Sequence, residues 1–551
     1  MKKSIFQYII TPVLLLAAFS ACHKVEVPVT TELTPDVYPS DSASFITASG
    51  PVYVVLRGNY GVEFYMQQTL STDESIMPAR GGNWYDGAQN QQMHYHTYTK
   101  DNGYVNGNWY WLSTIIGVAN QTLSILQKTE TAGASKNQNL AEIKMIRALA
   151  YFWMMDNYGN VPIDTVYGDF TPHANVPRAK VFSFIESEVN AALPYLNSAN
   201  NTSTYGRANK WTAYALLAKL YLNAEYYTGT ARYNDAITAC DAIINSGLFS
   251  FSSRANFLQM FYPTNGPTSV GSQNEFIFAI PFDPNFNNSP WPFRGVNIQA
   301  RYDVPRSMGK VAAGGGYNFF SLPYTPSAPA STIPSFYAYF YDANDVRNGQ
   351  WLTGLQYKHD GVTPITITTT YAGYDAITYA GNNNPYTYQL NLTPNVVLRQ
   401  SVTSFDCGND EVAWNMGYRD IKFYPDWTSP NRNQNNDIPV FRYADIIMMK
   451  AEAILRGGTA TGGQTALSLV NSLRAVRTTS PAWTNVTLDS VYNERCREFT
   501  QERWHRNDMI RFGKFEGSWG FKTDSDPNHR IFPIPTNALT VNPALTQNPG
   551  Y

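Results

Sequence analysis

Charge is what this sequence is shortest of. Lys, Arg, Asp and Glu make up 15% of its 551 residues, against about 25% in an average soluble protein. Formal net charge is −2, and no basic block occurs. The electrostatic footprint of a nucleic-acid binder is therefore missing, and no nucleic-acid partner is expected. Cysteine is scarce as well. Cys22, Cys240, Cys407 and Cys496 are too few and too scattered for a disulfide framework. No Cys-x-x-Cys, His-Glu-x-x-His, Gly-x-Ser-x-Gly or P-loop occurs, which removes the common signatures of zinc, serine-hydrolase and nucleotide chemistry. The glycines from Gly314 to Gly316 lack a following Lys-Ser/Thr and read as a flexible loop. The apolar run from Phe6 to Phe19 is too short to span a bilayer comfortably and contains Pro12.

That run is instead a targeting signal. Lys2 and Lys3 precede it, and Phe19-Ser20-Ala21-Cys22 follows with small residues before the cut. A Cys in this place resembles a lipoprotein signal over residues 1–21, with Cys22 taking the lipid, although Phe19 stands where such signals usually have Leu; an ordinary secretory signal with an incidental Cys is the alternative. Cleavage removes two lysines and no acids, leaving 38 basic against 42 acidic residues, a charge of −4. Residues 22–40 carry Pro28, Pro35 and Pro39 among Val and Thr and read as an extended tether.

Aromatics are plentiful at 14%, with 12 Trp, 38 Tyr and 29 Phe. Such rings either fill a large core or stack on flat ligands such as sugars. From Trp109 onward apolar residues recur at helical spacing. One stripe runs Trp109, Leu112, Ile116, Ala119, Leu123, Leu126; others are Ile143–Trp153, Val181–Leu196, Trp211–Leu222 and Ala236–Ile243. Short breaks and close-approach alanines resemble tetratricopeptide hairpins, without a strict repeat. From about 248 to 440 the pattern collapses into Pro, Gly, Asn and aromatics, with short strand-like pieces such as Ile365–Thr368. Loops this long are usually functional. Helical spacing resumes at Ile447, Ala451 and Ile454 and again from Ala466 to Val476; a charged amphipathic helix is expected across "VYNERCREFTQERWHRNDMIRFGKF". The expected fold is mainly α: helix pairs over about 41–247 and 441–515 form one scaffold around a loop-rich insertion. The segment 531–551, with four prolines among apolar residues, is expected to be a non-helical strap laid over the helices.

Several stretches carry a resemblance. "ERCREFTQERWHRNDMIRFGKF" followed by "FPIPTNALTVNPALTQNPGY", then "DIPVFRYADIIMMKAEAILRGG", and earlier "STDESIMPARGGNWYDG" and "HYHTYTKDNGYVNGNWYWL", resemble the SusD/RagB family. The chain departs from it at Gln501-Glu502-Arg503-Trp504, where the family often has Glu-Gly before the Arg, and at His23-Lys24-Val25-Glu26, where acidic residues often follow the lipidated Cys. The resemblance implies a single domain over 41–551 on a tetratricopeptide-like scaffold. It implies a lipid-anchored, cell-surface protein of the outer membrane that is not an enzyme. Such a protein captures an oligosaccharide for a SusC-type TonB-dependent transporter. A peptide-capturing lid of the same architecture is the alternative, and a carboxylate-dependent glycoside hydrolase a third reading.

The ligand residues expected lie mainly on "MPARGGNWYDGAQ". Gly81-Gly82 must turn, so Trp84 and Tyr85 project to stack on sugar faces, and Asp73, Arg80 and Asp86 offer hydrogen bonds; the alternative packs Trp84 inward under the loop and has Asp73-Glu74 cap a helix. Trp291, between prolines, and Arg347 are second candidates; Arg347 has Asp342 and Asp345 beside it as plain ion-pair partners. Glu494, Glu498 and Glu502, four apart among arginines, read either as catalytic carboxylates or, preferably, as an ion-pair network. His94 and His96 could share a strand face as metal ligands but lack a third. No cofactor is required; a structural calcium on scattered Asp, Asn and carbonyl oxygens remains compatible.

Overall fold

The computed structural model describes residues 38–129, 133–269, 271–282, 299–305, 308, 320, 322–326, 329–369, 386–399, 404–408, 411–430 and 432–551. Cys22 and Trp291 lie outside the described residues.

Helices come first: α1 (Ser42–Tyr60), α2 (Glu63–Leu70), α3 (Gln89–Tyr95), α4 (Gly103–Lys128), α5 (Ala134–Tyr158), α6 (Arg178–Ala192), α7 (Lys210–Leu222) and α8 (Tyr233–Ile244). The five apolar stripes fall on α4 to α8 in order, with Leu196 just beyond the end of α6, and their residues are buried. Side-chain caps set the starts. Asn102 accepts from the Tyr104 N–H at 3.0 Å, and Asn209 accepts from Trp211 and Thr212, each at 3.0 Å, relieving donors that a helix start leaves unpaired. α4 packs on α5, α5 on α6, α7 on α8, and α1 across α4. Much of the aromatic surplus is spent in this interior. Trp111 stacks on Trp153 at 5.7 Å, with Tyr60 and Phe64 at 5.4 and 5.3 Å from Trp153. No described helix is long and apolar enough to cross a membrane.

The irregular middle is closed at its ends by β1 (Phe276–Ile280), paired antiparallel with β2 (Ile438–Arg442). Among the described residues its other sheets are also two-stranded, including Thr366–Thr369 with Tyr386–Gln389. β2 runs straight into α9 (Tyr443–Leu455), which packs on α10 (Ala466–Ala475) and on α8. The two helical sets thus share one core.

Two expectations need correction. The charged segment is not one helix but two, α11 (Leu488–Phe499) and α12 (His505–Arg511). Between them Gln501 and Arg503 take left-handed backbone, φ 66° and 67°. Distant partners hold this turn: the Glu74 carboxylate accepts from the Gln501 N–H, and Arg503 Nε donates to the Tyr60 carbonyl at 3.1 Å. The tail, too, is not wholly non-helical, for α13 (Thr536–Val541) occupies its middle.

The rest of the tail lies over the scaffold as extended chain. Phe532 and Ile534 are fully buried, whereas Val541 is 82% exposed. Asn548 Nδ2 donates to the carbonyls of Tyr158 and Phe532, each at 2.8 Å, and the Tyr551 hydroxyl to Ile531 at 2.8 Å. Gln547 exchanges two side-chain bonds with the Ile534 backbone, at 2.7 and 2.8 Å. Deleting Asn542–Tyr551 should therefore cost about 3 kcal/mol, from a few hydrogen bonds at about 1 kcal/mol each and the burial of Leu545. Thermal unfolding checks this; an unchanged melting temperature would refute the strap.

Candidate functional site

The row of glutamates on α11 is the obvious place to look for catalysis, and its geometry speaks against it. Glu498 meets Arg442 at 3.0 Å, Arg477 at 3.0 Å and Arg347 at 3.1 Å. Glu494 meets Arg347 at 2.7 Å, and Glu502 meets Lys422 at 2.6 Å and Arg442 at 2.7 Å. Glu275 joins through Arg477 at 2.9 Å. Glu494 and Glu498 are fully buried, so no substrate reaches them. Burial pushes their carboxyls up, but the guanidinium groups win: Glu494 falls to about 2, and Glu498 is lowered as well. A general acid needs the opposite shift.

Three expected ligand residues belong to this buried architecture and are corrected. Arg347 is fully buried, held by Asp345 at 2.9 Å as well as by the two glutamates. Arg80 is fully buried and donates to the carbonyls of Ala413 and Pro329. Asp73 is buried against His505 Nε2 at 2.6 Å. Burial works against the His505 imidazolium, yet Cys496 and Asp73 raise its pKa well above the ordinary value. A guanidinium or carboxylate that is already buried and paired has nothing left to offer a solvent-borne ligand.

His94 and His96 are not on a strand. His94 lies in the last turn of α3, and His96 caps it with φ 56°. Both are buried; burial, helped by the Lys522 charge, brings His94 down to about 3 and His96 well below its usual range. Among the described residues no group of three or more His, Cys, Asp or Glu is placed to hold a metal ion.

The loop before α3 is different. Asp406 pins its base: one carboxylate oxygen accepts from the Gly81 N–H at 2.8 Å, the other from Gly82 at 2.9 Å. Both glycines have positive φ, 64° and 81°, which is why the turn takes them. Beyond it Trp84, Asp86 and Ala88 also sit in left-handed backbone, φ 69°, 46° and 65°. Three such residues in five positions are costly, and bulky side chains in this region cluster at functional sites. The strained path aims Tyr85 outward at 50% exposure, with Asp86 exposed beside it. Trp84 is half-buried, edge-on to Tyr302 at 5.3 Å. The Arg301 guanidinium lies 5.3 Å from the Tyr302 ring centre. The loop thus presents aromatic faces, a carboxylate and a nearby guanidinium on one rim. Of the residues expected on this loop, Tyr85 and Asp86 are exposed and Trp84 is half-buried; the supporting Asp406, the Tyr302 ring beneath Trp84 and the nearby Arg301 were not expected from sequence. No local pattern marks these; only the fold brings them here.

A second concave feature runs along α4. It is an open cleft of about 920 Å3 between α4, the 162–170 segment and α13. Tyr110, Tyr167, Phe170 and Val541 stand on its walls, with Phe170 93% exposed.

Comparison with known proteins follows from this architecture. Residues 274–551 match the model of the SusD family, and residues 42–222 match a second model described as starch-binding associating with outer membrane. The starch-binding protein SusD of Bacteroides thetaiotaomicron is 26% identical over 446 residues, 77% of this chain and 75% of that protein. SusD-like protein P25 of Formosa agariphila is 25% identical over 480 residues, 81% of this chain and 80% of its own length. Among solved structures, a laminarin-binding SusD-like protein superposes with TM-score 0.67 at 21% identity, covering 93% of this chain and all of that one. At that identity the likeness shows the fold alone.

Proposed function

The chain belongs to the SusD family, and from that premise we propose that it is a non-catalytic, outer-membrane glycan-capture protein. Anchored through a lipid on Cys22, it takes an oligosaccharide or polysaccharide on the rim of Trp84 and Tyr85, with the buried Tyr302 ring supporting Trp84 from beneath, and passes it to a SusC-type TonB-dependent transporter. The observation that carries this reading is the strained loop from Gly81 to Ala88, which holds aromatic faces at the surface on a rigid base. An indole or phenol face covers the apolar C–H face of a sugar ring, while Asp86 and Arg301 lie within the same rim for its hydroxyls. The starch- and laminarin-binding descriptions of similar proteins agree with that ligand class. The apolar walls of the α4 cleft, with Phe170 and Val541 almost bare, are the surface assigned to the transporter, since patches of this kind are usually covered by a partner.

Affinity electrophoresis of the mature protein in gels containing starch, laminarin and other neutral polysaccharides tests the reading. Retardation by at least one polymer is expected. Trp84→Ala and Tyr85→Ala should each weaken it about tenfold, the scale of a lost stacked ring. Failure of every polymer, with competition by peptides instead, would replace the glycan by a peptide.

A further inference from the structure

A second group of rings lies on the loop-rich part of the molecule. Residue pairs there alternate in a telling way. Phe261 and Phe423 point inward, fully buried, 5.2 Å apart. Their chain neighbours Tyr262 and Tyr424 point the other way, half-buried, at 4.6 Å and 33° to each other. Trp427 stands edge-on to both, 6.4 Å from Tyr262 and 5.9 Å from Tyr424, and is 38% exposed. The phenylalanines already close the core beneath. The outer layer uses only rings with a polar tip, the type suited to a wet aromatic surface.

This layer is held in place from below. Asn436 Nδ2 donates to the carbonyls of Phe261 and Tyr424 at 2.7 and 2.9 Å, clamping the two segments together, and the Tyr424 N–H donates to Phe261 at 3.1 Å. Asp426 is fully buried and braces the turn that displays Trp427. Its carboxylate accepts from the Thr428 N–H and hydroxyl at 2.8 and 2.6 Å and from the Asn435 N–H at 3.1 Å. Ordering these rings therefore costs little at the moment of binding. The following stretch "TSPNRNQNN" has one cation and is otherwise neutral and polar, which suits an uncharged ligand rather than a phosphate-bearing one.

We propose that Tyr262, Tyr424 and Trp427 form a second stacking platform for a neutral glycan, with no residue in common with the Trp84 rim, so that one polymer chain is gripped at two places. It rests on the glycan reading above. Rings at the rim and rings here then act on the same chain, and a long ligand gains over a short one by local concentration.

The test uses the full mature protein and whichever neutral polysaccharide, starch or laminarin among them, retards it in a native gel. Trp427→Ala is expected to weaken retardation about threefold to tenfold. Trp427→Phe, which keeps a flat face, should retain most of it, and Trp427→Leu, which keeps the bulk without the face, should lose as much as the alanine. Equal retardation of wild type, Trp427→Ala and Trp427→Leu would overturn the platform while leaving the Trp84 rim standing. Loss in Trp427→Phe as severe as in Trp427→Leu would also overturn it, by making the residue structural. No retardation of the wild type by any neutral polymer would sink the rim and the platform together.

Discussion

Glu498→Ala should remove about 3–5 kcal/mol of stability, the range seen when one partner of a buried ion pair is deleted. The substitution leaves Arg347, Arg442 and Arg477, all fully buried, with one carboxylate fewer among them, and a buried cation without its partner is the expensive species. Glu275, Glu494 and Glu502 hold the outer sides of these arginines, so the cluster weakens rather than vanishes. A control sets the scale: Glu186→Ala removes a partly exposed partner of Arg232 and should cost under about 1 kcal/mol. Urea titration of both variants decides; a Glu498→Ala loss no larger than the control would mean that the network carries little of the fold's stability.

Stability should fall as pH rises from about 6.5 to 8, and Asp420→Asn should remove its own share of that fall, about 2 kcal/mol. Burial raises Asp420 to about 8 and Glu74 to about 7, and Asp303 well above its ordinary value. The folded chain keeps these protons where an unfolded one has lost them. Their contribution is complete below about pH 4 and drains away as pH climbs to the folded values. His505, raised by its partners, adds in the same direction above pH 6.5. His94 and His96 act oppositely: lowered in the fold, they favour it above 6.5 and disfavour it as pH falls towards 3. The two sets counteract each other between about 4 and 6.5, so the slope emerges above that range. For Asp420 alone, 1.5 pH units correspond to about 2 kcal/mol. Unfolding midpoints at pH 6.5 and 8 check this. An identical drop in wild type and Asp420→Asn would assign the slope to other groups. Below about pH 4.5 the sign reverses, because Glu494, Glu498 and Asp508, all lowered by arginines, stay charged in the fold while their unfolded counterparts take up protons.

The scaffold was legible because a helix writes its buried face into one local period. α4 to α8, α9 and α10 all follow such stripes. α1 was not, since Gly50-Pro51 in its middle reads as a break although the helix runs through Pro51. The split between α11 and α12 was invisible for another reason: Gln501 and Arg503 are turned by Glu74 and Tyr60, more than 400 positions away. The same holds for the site. Trp84 and Tyr85 announce themselves beside Gly81-Gly82. Arg80 looks like a loop residue free to meet a ligand, and nothing nearby in sequence says that carbonyls from other segments enclose it; for Arg347 the neighbouring Asp345 gave the clue, though not that Glu494 and Glu498 complete its enclosure. In Val541 the error runs the other way, an apolar residue expected to pin the tail that stands in the open.

The buried ion network also bears on how the molecule would survive damage. The turn from Lys358 to Val362 is exposed, the kind of place proteases cut. A nick there leaves Glu275, Asp345 and Arg347 on one fragment and Lys422, Arg442, Arg477, Glu494, Glu498 and Glu502 on the other. The ion pairs that cross the cut, Arg347 with Glu494 and Glu498 and Glu275 with Arg442 and Arg477, lie at the centre of the fold. The two fragments would travel as one body, and acid that discharges those glutamates would part them sooner than the cut itself.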